Sequence, residues 1–388
     1  MKLLLKFKSF FNSFDQILLL IVLTLLIFGL YLQFNIGTSL GDHFQMNLFL
    51  SQIKSLIFAV IVFCIFYCPK NTTLFLYRGS FLFMLLTIML LTFVLVYGVS
   101  KQGSTRWIRL PFISFQPSSL AHPVLIIMFA KAFSQKHFII SKTGFFAFFK
   151  EFKPLILFSL TIIILIFLEK HLSTLIVLGC TLLSMIFAAN FKRSLILIML
   201  LLIIGSLMIV VNLGANYRSN RMEIYSKYSL FHKVLGINKT EINADAYQVR
   251  ESLTAISQGG LFGVGRDGGR AKHKYLPDIN SDYIFAIIGE EFGFLGGLFI
   301  ISAFALFLLR VVLISSATEN IFDNYLALGL GMNIFITAIV NIGVSISALP
   351  STGLPLPFIS YGGSALAVNV GMIAIILNIS KKRSESGS

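Results

Sequence analysis

Long apolar runs separated by short polar turns repeat along the whole chain. A helix needs about 20 mostly apolar residues to cross hydrocarbon. Ten runs meet or approach that length: 16–34, 48–67, 74–97, 118–133, 154–168, 172–189, 194–213, 283–314, 321–346 and 361–379. The stretches 98–117, with Lys101, Arg106 and Arg109, and 347–360, without charge, are connections between runs. The pattern predicts an all-α polytopic membrane protein with about ten transmembrane helices. Residues 1–388 form one integral membrane domain, with a large extracytoplasmic loop, 214–281, between the seventh and eighth helices.

That loop is long enough to be either functional or disordered. It has tyrosines, a helically spaced stretch at 246–256 and a glycine-rich stretch at 259–269, so it is expected to fold at least partly against the membrane. The short tail 384–388 is expected to be disordered. Cationic residues orient the spans, because lysine and arginine favour cytoplasmic loops. Lys2, Lys6 and Lys8, the five lysines of 131–153, Lys192 with Arg193, and Lys381 to Arg383 all fall on one side of a ten-span plan. Both termini are therefore expected in the cytoplasm. The first run is read as an uncleaved helix, since no clear small-residue cleavage site follows it.

Composition agrees. The chain is 56% hydrophobic and 12% charged, about half the charged fraction of a soluble domain. The net charge of +15 lies largely in loops and tails, and no base-reading motif is present, so nucleic acid binding is excluded. Cys64, Cys68 and Cys180 lack metal-ligand spacing and are read as packing residues. Six scattered histidines form no metal motif.

Four stretches can carry chemistry. In KYLPDINSDYIFAIIGEE, 274–291, Asp282 stands where a polar loop becomes an apolar helix. Acids at the edge of hydrocarbon are functional suspects, although a carboxylate there can also serve as a helix N-cap. Arg270, Lys272 and Lys274 make the approach to it basic. Glu290 and Glu291 follow about two turns on, edging the same groove or bonding a neighbouring helix. In GSTRWIRLPFISFQPSSL, 103–120, Arg106 and Trp107 read either as an interfacial belt or as a headgroup site, a guanidinium fork suiting a pyrophosphate. In NYRSNRMEIY, 216–225, Arg218 and Arg221 would share a helix face. In ALPSTGLPLPFISYGGSALAVN, 348–369, three prolines and a glycine pair preclude regular helix. Irregular backbone at a membrane must be buried in protein or line a cavity, so this stretch is expected to dip toward one.

Three of these motifs, GSTRWIRL with FQPSSL, YLPDINSDYIFAIIGEE and TGLPLPFISYGGS, stand in order over nearly the whole chain. On them the chain resembles the SEDS family (shape, elongation, division and sporulation). ESLTAISQGGLFGVG is more similar to the division branch than to the elongation branch. The resemblance implies a peptidoglycan glycosyltransferase that polymerises lipid II at the outer face of the bacterial cytoplasmic (inner) membrane. It implies a class B penicillin-binding protein as transpeptidase partner, other divisome membrane proteins around it, and Mg²⁺ or Mn²⁺ bound with substrate pyrophosphate. The family's essential acid carries onto Asp282, as base or metal ligand, and its arginine–tryptophan pair onto Arg106 and Trp107. Arg218, Arg221, Lys274 and Ser360 complete the expected substrate-binding set. The chain departs from the family where a glutamate and a lysine become Ser119 and His122, and where the aspartate and glycine of a P-D-x-G-T element become His171 and Ser173. A lipid II flippase fits the same basic cavity, and a structural scaffold is a third class. Polymer formation from lipid II distinguishes the first reading from both.

Overall fold

The apolar runs fold as helices: α1 (Gln16–Ser39), α2 (His43–Tyr67), α3 (Thr72–Tyr97), α4 (Ser118–Gln135), α5 (His137–Ile140), α6 (Phe145–Glu151), α7 (Lys153–Leu168), α8 (Leu172–Ala188), α9 (Arg193–Asn212), α10 (Ala244–Gly259), α11 (Ile284–Ser316), α12 (Ile321–Ser345) and α13 (Gly363–Ser386). The structure, a computed structural model, describes residues 14–39, 43–101, 104–109, 114–140, 143–169, 171–212, 244–266, 268–272 and 280–386. Among these residues, six helices are long and apolar enough to cross a membrane, or seven if α6 and α7 count as one bent span. The helical spacing at 246–256 becomes α10.

The centre of the bundle is α12 and α13. In their most apolar windows 67% and 78% of residues are buried, against 17% to 33% in the other four long spans. Those four turn most of their apolar side chains outward, as helices do when the solvent is lipid. The same reason corrects the expectation for the cysteines. Cys64, Cys68 and Cys180 are free and exposed rather than packed inside, since lipid makes no demand that a thiol be buried.

Side-chain bonds tie each end of the bundle together. At one end, Asp15 N–H meets Ser380 Oγ (3.1 Å), Asn378 Nδ2 donates to Tyr67 and Pro69 carbonyls (2.9 and 2.8 Å), and Lys382 pairs with Asp323 (3.3 Å). Both ends of the described chain lie here. At the other end stands a feature the apolar pattern did not predict, a small antiparallel sheet in the order β1 (Val99–Lys101), β2 (Ser104–Arg109), β3 (Ser114–Phe115). It holds the 98–117 connection against the helices, with Gln116 N–H on Ser364 Oγ (3.3 Å).

The eighth run, read as a single helix over 283–314, is broken. Within α11, Gly293 has φ 66° and ψ −161°, a conformation closed to residues with a Cβ. Residues 260–265 fill the break. Val264 and Gly265 N–H groups donate to the carbonyls of Glu290 and Glu291 (2.9 and 3.1 Å), and Phe294 and Leu295 N–H groups donate to Gly260 and Leu261 (2.8 and 3.2 Å). A break in a membrane helix is tolerated when protein satisfies the freed backbone groups. The approach is close: a Cβ on Gly259 would stand 1.9 Å from Gly289 O, and one on Gly263 2.1 Å from Glu291 O. The glycines of 259–269 are therefore packing positions as well as turns.

Candidate active site

Asp282 sits two residues before α11, half-buried. The helix is capped at Tyr283 without a side-chain bond, so Asp282 is not its N-cap. Its Oδ2 stands 3.6 Å from where a Cβ on Gly353 would lie. Gly353 has φ +72°, so the chain there turns as glycine allows, close beside the carboxylate.

The 347–362 stretch forms the wall of this site. It has no regular structure, yet half of it is buried, including all of 356–360, as irregular backbone at membrane depth requires. Its hydrogen bonds go to the Asp282 junction. Asn341 Nδ2, on α12, donates both to Asp282 O (3.0 Å) and to Leu354 O (2.7 Å). Tyr361 N–H donates to Asn280 O (2.7 Å), which also accepts from Gln33 Nε2 of α1 (3.0 Å). Ser360 is buried; its hydroxyl donates to Ser281 O (2.6 Å) and accepts from Leu356 N–H (2.9 Å). Its oxygen is thus committed to joining the loop to the junction. Behind it, a Cβ on Gly29 would lie 2.6 Å from Ile359 Cα, so α1 presses directly on the loop.

Arg106 and Trp107 lie half-buried on β2 at the same end of the bundle. Arg106 Nε donates to Glu169 O (3.2 Å) at the C-cap of α7. Glu169 is only 1% exposed, and neither of its carboxylate oxygens has a hydrogen bond of good geometry among the described residues. Burial pushes its pKa up to about 7, against the opposing pull of the Ser118 hydroxyl and the Arg106 guanidinium. One turn on, Ser173 donates to Thr352 O, and Thr352 adjoins Gly353. The Arg106 cluster and Asp282 are thereby joined through the start of α8.

At the positions where this chain lacks the family's charged residues, the structure has neutral hydrogen bonds. Gln116 Nε2 and the Thr174 hydroxyl meet His171 Nδ1 (3.2 and 2.6 Å). Burial, with Arg106 and His122 nearby, holds His171 well below the ordinary imidazole pKa, so it is uncharged at neutral pH. Asn333 Nδ2 bridges His122 Nδ1 (2.8 Å) and Thr181 Oγ1 (3.2 Å).

Glu290 and Glu291 do not edge the groove. Both are buried, and both are held by 270–272, which follow the segment that fills the α11 break. Glu290 accepts from the N–H groups of Arg270 and Ala271 (2.6 and 3.1 Å). Glu291 pairs with Lys272 (3.1 Å) and takes two bonds from Asn35 Nδ2 (3.0 and 2.7 Å). Arg218, Arg221 and Lys274, three expected substrate contacts, lie outside the described residues.

Glu169 and Asn341 were not singled out in the sequence. Each has a signal available there: an acid at the end of an apolar run, and an amide inside one.

No group of three metal-ligating side chains occurs among the described residues. The site therefore fits a divalent ion only as one carboxylate, Asp282, sharing it with ligands from substrate, a common arrangement for Mg²⁺.

A family model described as "Cell cycle protein", covering FtsW, RodA and SpoVE, matches residues 15–385. A probable peptidoglycan glycosyltransferase FtsW of Buchnera aphidicola is 30% identical over 379 residues, 96% of this chain and 95% of that protein. Stage V sporulation protein E of Bacillus subtilis is 31% identical over 373 residues, 95% and 98% of the two chains. In fold, a chain from a study of polymerization and crosslinking by a peptidoglycan synthase complex superposes with a TM-score of 0.75 at 21% identity, covering 95% of this chain and 98% of that one. RodA of Thermus thermophilus superposes with a TM-score of 0.66 at 20% identity, covering 95% and 97%. With the three motifs gathered at one end of the bundle and matches running from end to end, the chain belongs to the FtsW/RodA/SpoVE family.

Proposed function

We propose that this protein is a peptidoglycan glycosyltransferase of the cell-division type, which polymerises lipid II with Asp282 as its essential acid. The observation that carries the reading is the setting of Asp282. It is an acid at the mouth of a membrane helix, fixed through its backbone by Asn341, with the turn at Gly353 beside its carboxylate. Membership of the family and the names of the full-length relatives supply the substrate class.

The reaction forms a glycosidic bond between an acceptor sugar hydroxyl and the anomeric carbon of the donor, as the bond to the polyprenyl diphosphate breaks. The acceptor proton must leave, and Asp282 takes it as general base. The diphosphate departs with growing negative charge. Arg106, on β2, is a candidate to meet it, with Arg218, Arg221 and Lys274 as further candidates from the sequence. Trp107 offers the substrate a flat apolar face, and Ser360 keeps the 347–362 wall against the junction. A Mg²⁺ or Mn²⁺ ion held by Asp282 and the diphosphate would neutralise part of the leaving-group charge.

The sheet end of the bundle then faces outward and both termini face the cytoplasm, an orientation supported by Arg310, Lys131, Lys136 and Lys382 at the termini end. The partner is a class B penicillin-binding protein with other divisome membrane proteins.

Purified protein with that partner, lipid II and Mg²⁺ or Mn²⁺ is expected to yield glycan strands on a gel. Asp282→Asn is expected to abolish them while leaving a monodisperse, folded protein. Full polymerisation by the folded Asp282→Asn variant would overturn the assignment. Transport of lipid II across liposomes without any polymer would favour a flippase.

A further inference from the structure

At the termini end, away from the Asp282 site, a cavity of about 390 Å³ opens between α3, α4 and the α6–α7 bend, within the size range of small-ligand sites. Its polar wall is Lys131, Lys136 and Glu151, and its apolar wall includes Phe81, Met128 and Phe158. Lys136 is neutralised by Glu151 (2.7 Å). Lys131 is not neutralised. Its Nζ donates to the buried Ser80 hydroxyl (2.9 Å) and lies over the Tyr77 ring at 4.8 Å, and no carboxylate among the described residues pairs with it. The three charged groups leave the cavity with one uncompensated positive charge.

The depth of the cavity follows from the bend. α6 and α7 meet at 89°, so if α7 runs across the bilayer, α6 lies in its plane. α6 exposes Phe146 (87%), and the neighbouring α5 exposes Phe138 (91%). Phenylalanines bared on an in-plane helix insert at the boundary of headgroups and acyl chains. Glu151, the last residue of α6, lines the cavity. The lysines are therefore at headgroup level, and the apolar wall continues toward the chains.

We propose that this cavity binds the phosphodiester headgroup of an anionic phospholipid from the leaflet on the termini side, with the Lys131 ammonium on the phosphate. A basic pocket between membrane helices is a recognised setting for such headgroups. The single uncompensated charge matches a phosphodiester monoanion.

The test uses the full-length protein in neutral detergent, titrated with phosphatidylglycerol, phosphatidylcholine or soluble glycerol phosphate. Bound lipid is counted by native mass spectrometry, and thermal stability is followed alongside. Phosphatidylglycerol is expected to bind and raise the melting temperature, and the other two are not. Lys131→Gln is expected to weaken phosphatidylglycerol binding about tenfold or more, whereas Lys131→Arg retains it. Equal binding of the two phospholipids by the wild-type protein would overturn the proposal, and so would equal stabilisation by glycerol phosphate. Unchanged phosphatidylglycerol binding by Lys131→Gln would also overturn it. Should Lys131→Gln not fold, the wild-type comparison of the three additives decides.

Discussion

Removing the Lys272 ammonium tests whether 270–272, which follow the segment that fills the α11 break, are held to α11 by a buried charge pair. The side chains of Lys272 and Glu291 are 2% and 1% exposed and 3.1 Å apart. Lys272→Met leaves the Glu291 carboxylate buried with Asn35 as its remaining side-chain donor. Stripping one partner from a buried pair costs about 3–5 kcal/mol, because the other charge stays desolvated without its counter-charge. The Asn35 bonds favour the lower end of that range. With an unfolding entropy of about 2.1 cal/mol/K per residue, typical of globular chains, the 388 residues imply a fall in melting temperature of about 4–6 °C. Differential scanning fluorimetry on detergent-solubilised protein reads this directly. The double variant Lys272→Met/Glu291→Gln removes both charges and keeps an oxygen for Asn35, so it is expected to recover most of the loss. A single variant melting within about 1 °C of wild type, or a double variant melting below the single, would refute the reasoning.

Glu169 predicts a pH dependence. Its folded pKa of about 7 stands above the ordinary value of 4.5, so the folded state holds the proton more tightly than the unfolded state. The stability this gives is complete below about pH 4.5, falls as pH rises, and is gone above about pH 7, a span on the order of 3 kcal/mol. Glu169→Gln is expected to flatten the melting temperature between pH 5 and 8, and parallel curves for the two proteins would contradict this. Gly263→Ala sets a Cβ 2.1 Å from Glu291 O at φ +85°, whereas Gly260→Ala, at φ +55°, meets nothing within 4 Å. The first is expected to cost at least about 2 kcal/mol more than the second, whose cost is about 1–2 kcal/mol from backbone conformation alone. Equal melting temperatures for the two variants would show that the close packing of 259–265 on α11 is not tight.

The sequence by itself determined that the chain is helical and membrane-embedded, because a helix is what a long apolar run can form without leaving backbone groups unsatisfied in lipid. It also singled out Asp282, Arg106 and the proline-rich 348–369 stretch, since an acid or irregular backbone beside an apolar run is costly enough to stand out. What the runs could not encode is which polar groups meet. The breaking of α11 at Gly293 depends on 260–265 arriving with matching N–H and C=O groups, a contact between segments about 30 residues apart. The parts of the acids are likewise decided by their neighbours. Glu291 is a structural partner because Lys272 and Asn35 reach it, and Glu169 is a strained carboxylate because its surroundings are buried and supply no good bond. Periodicity reports which face of an element is apolar, while the partner of a buried charge is fixed only when separate elements pack.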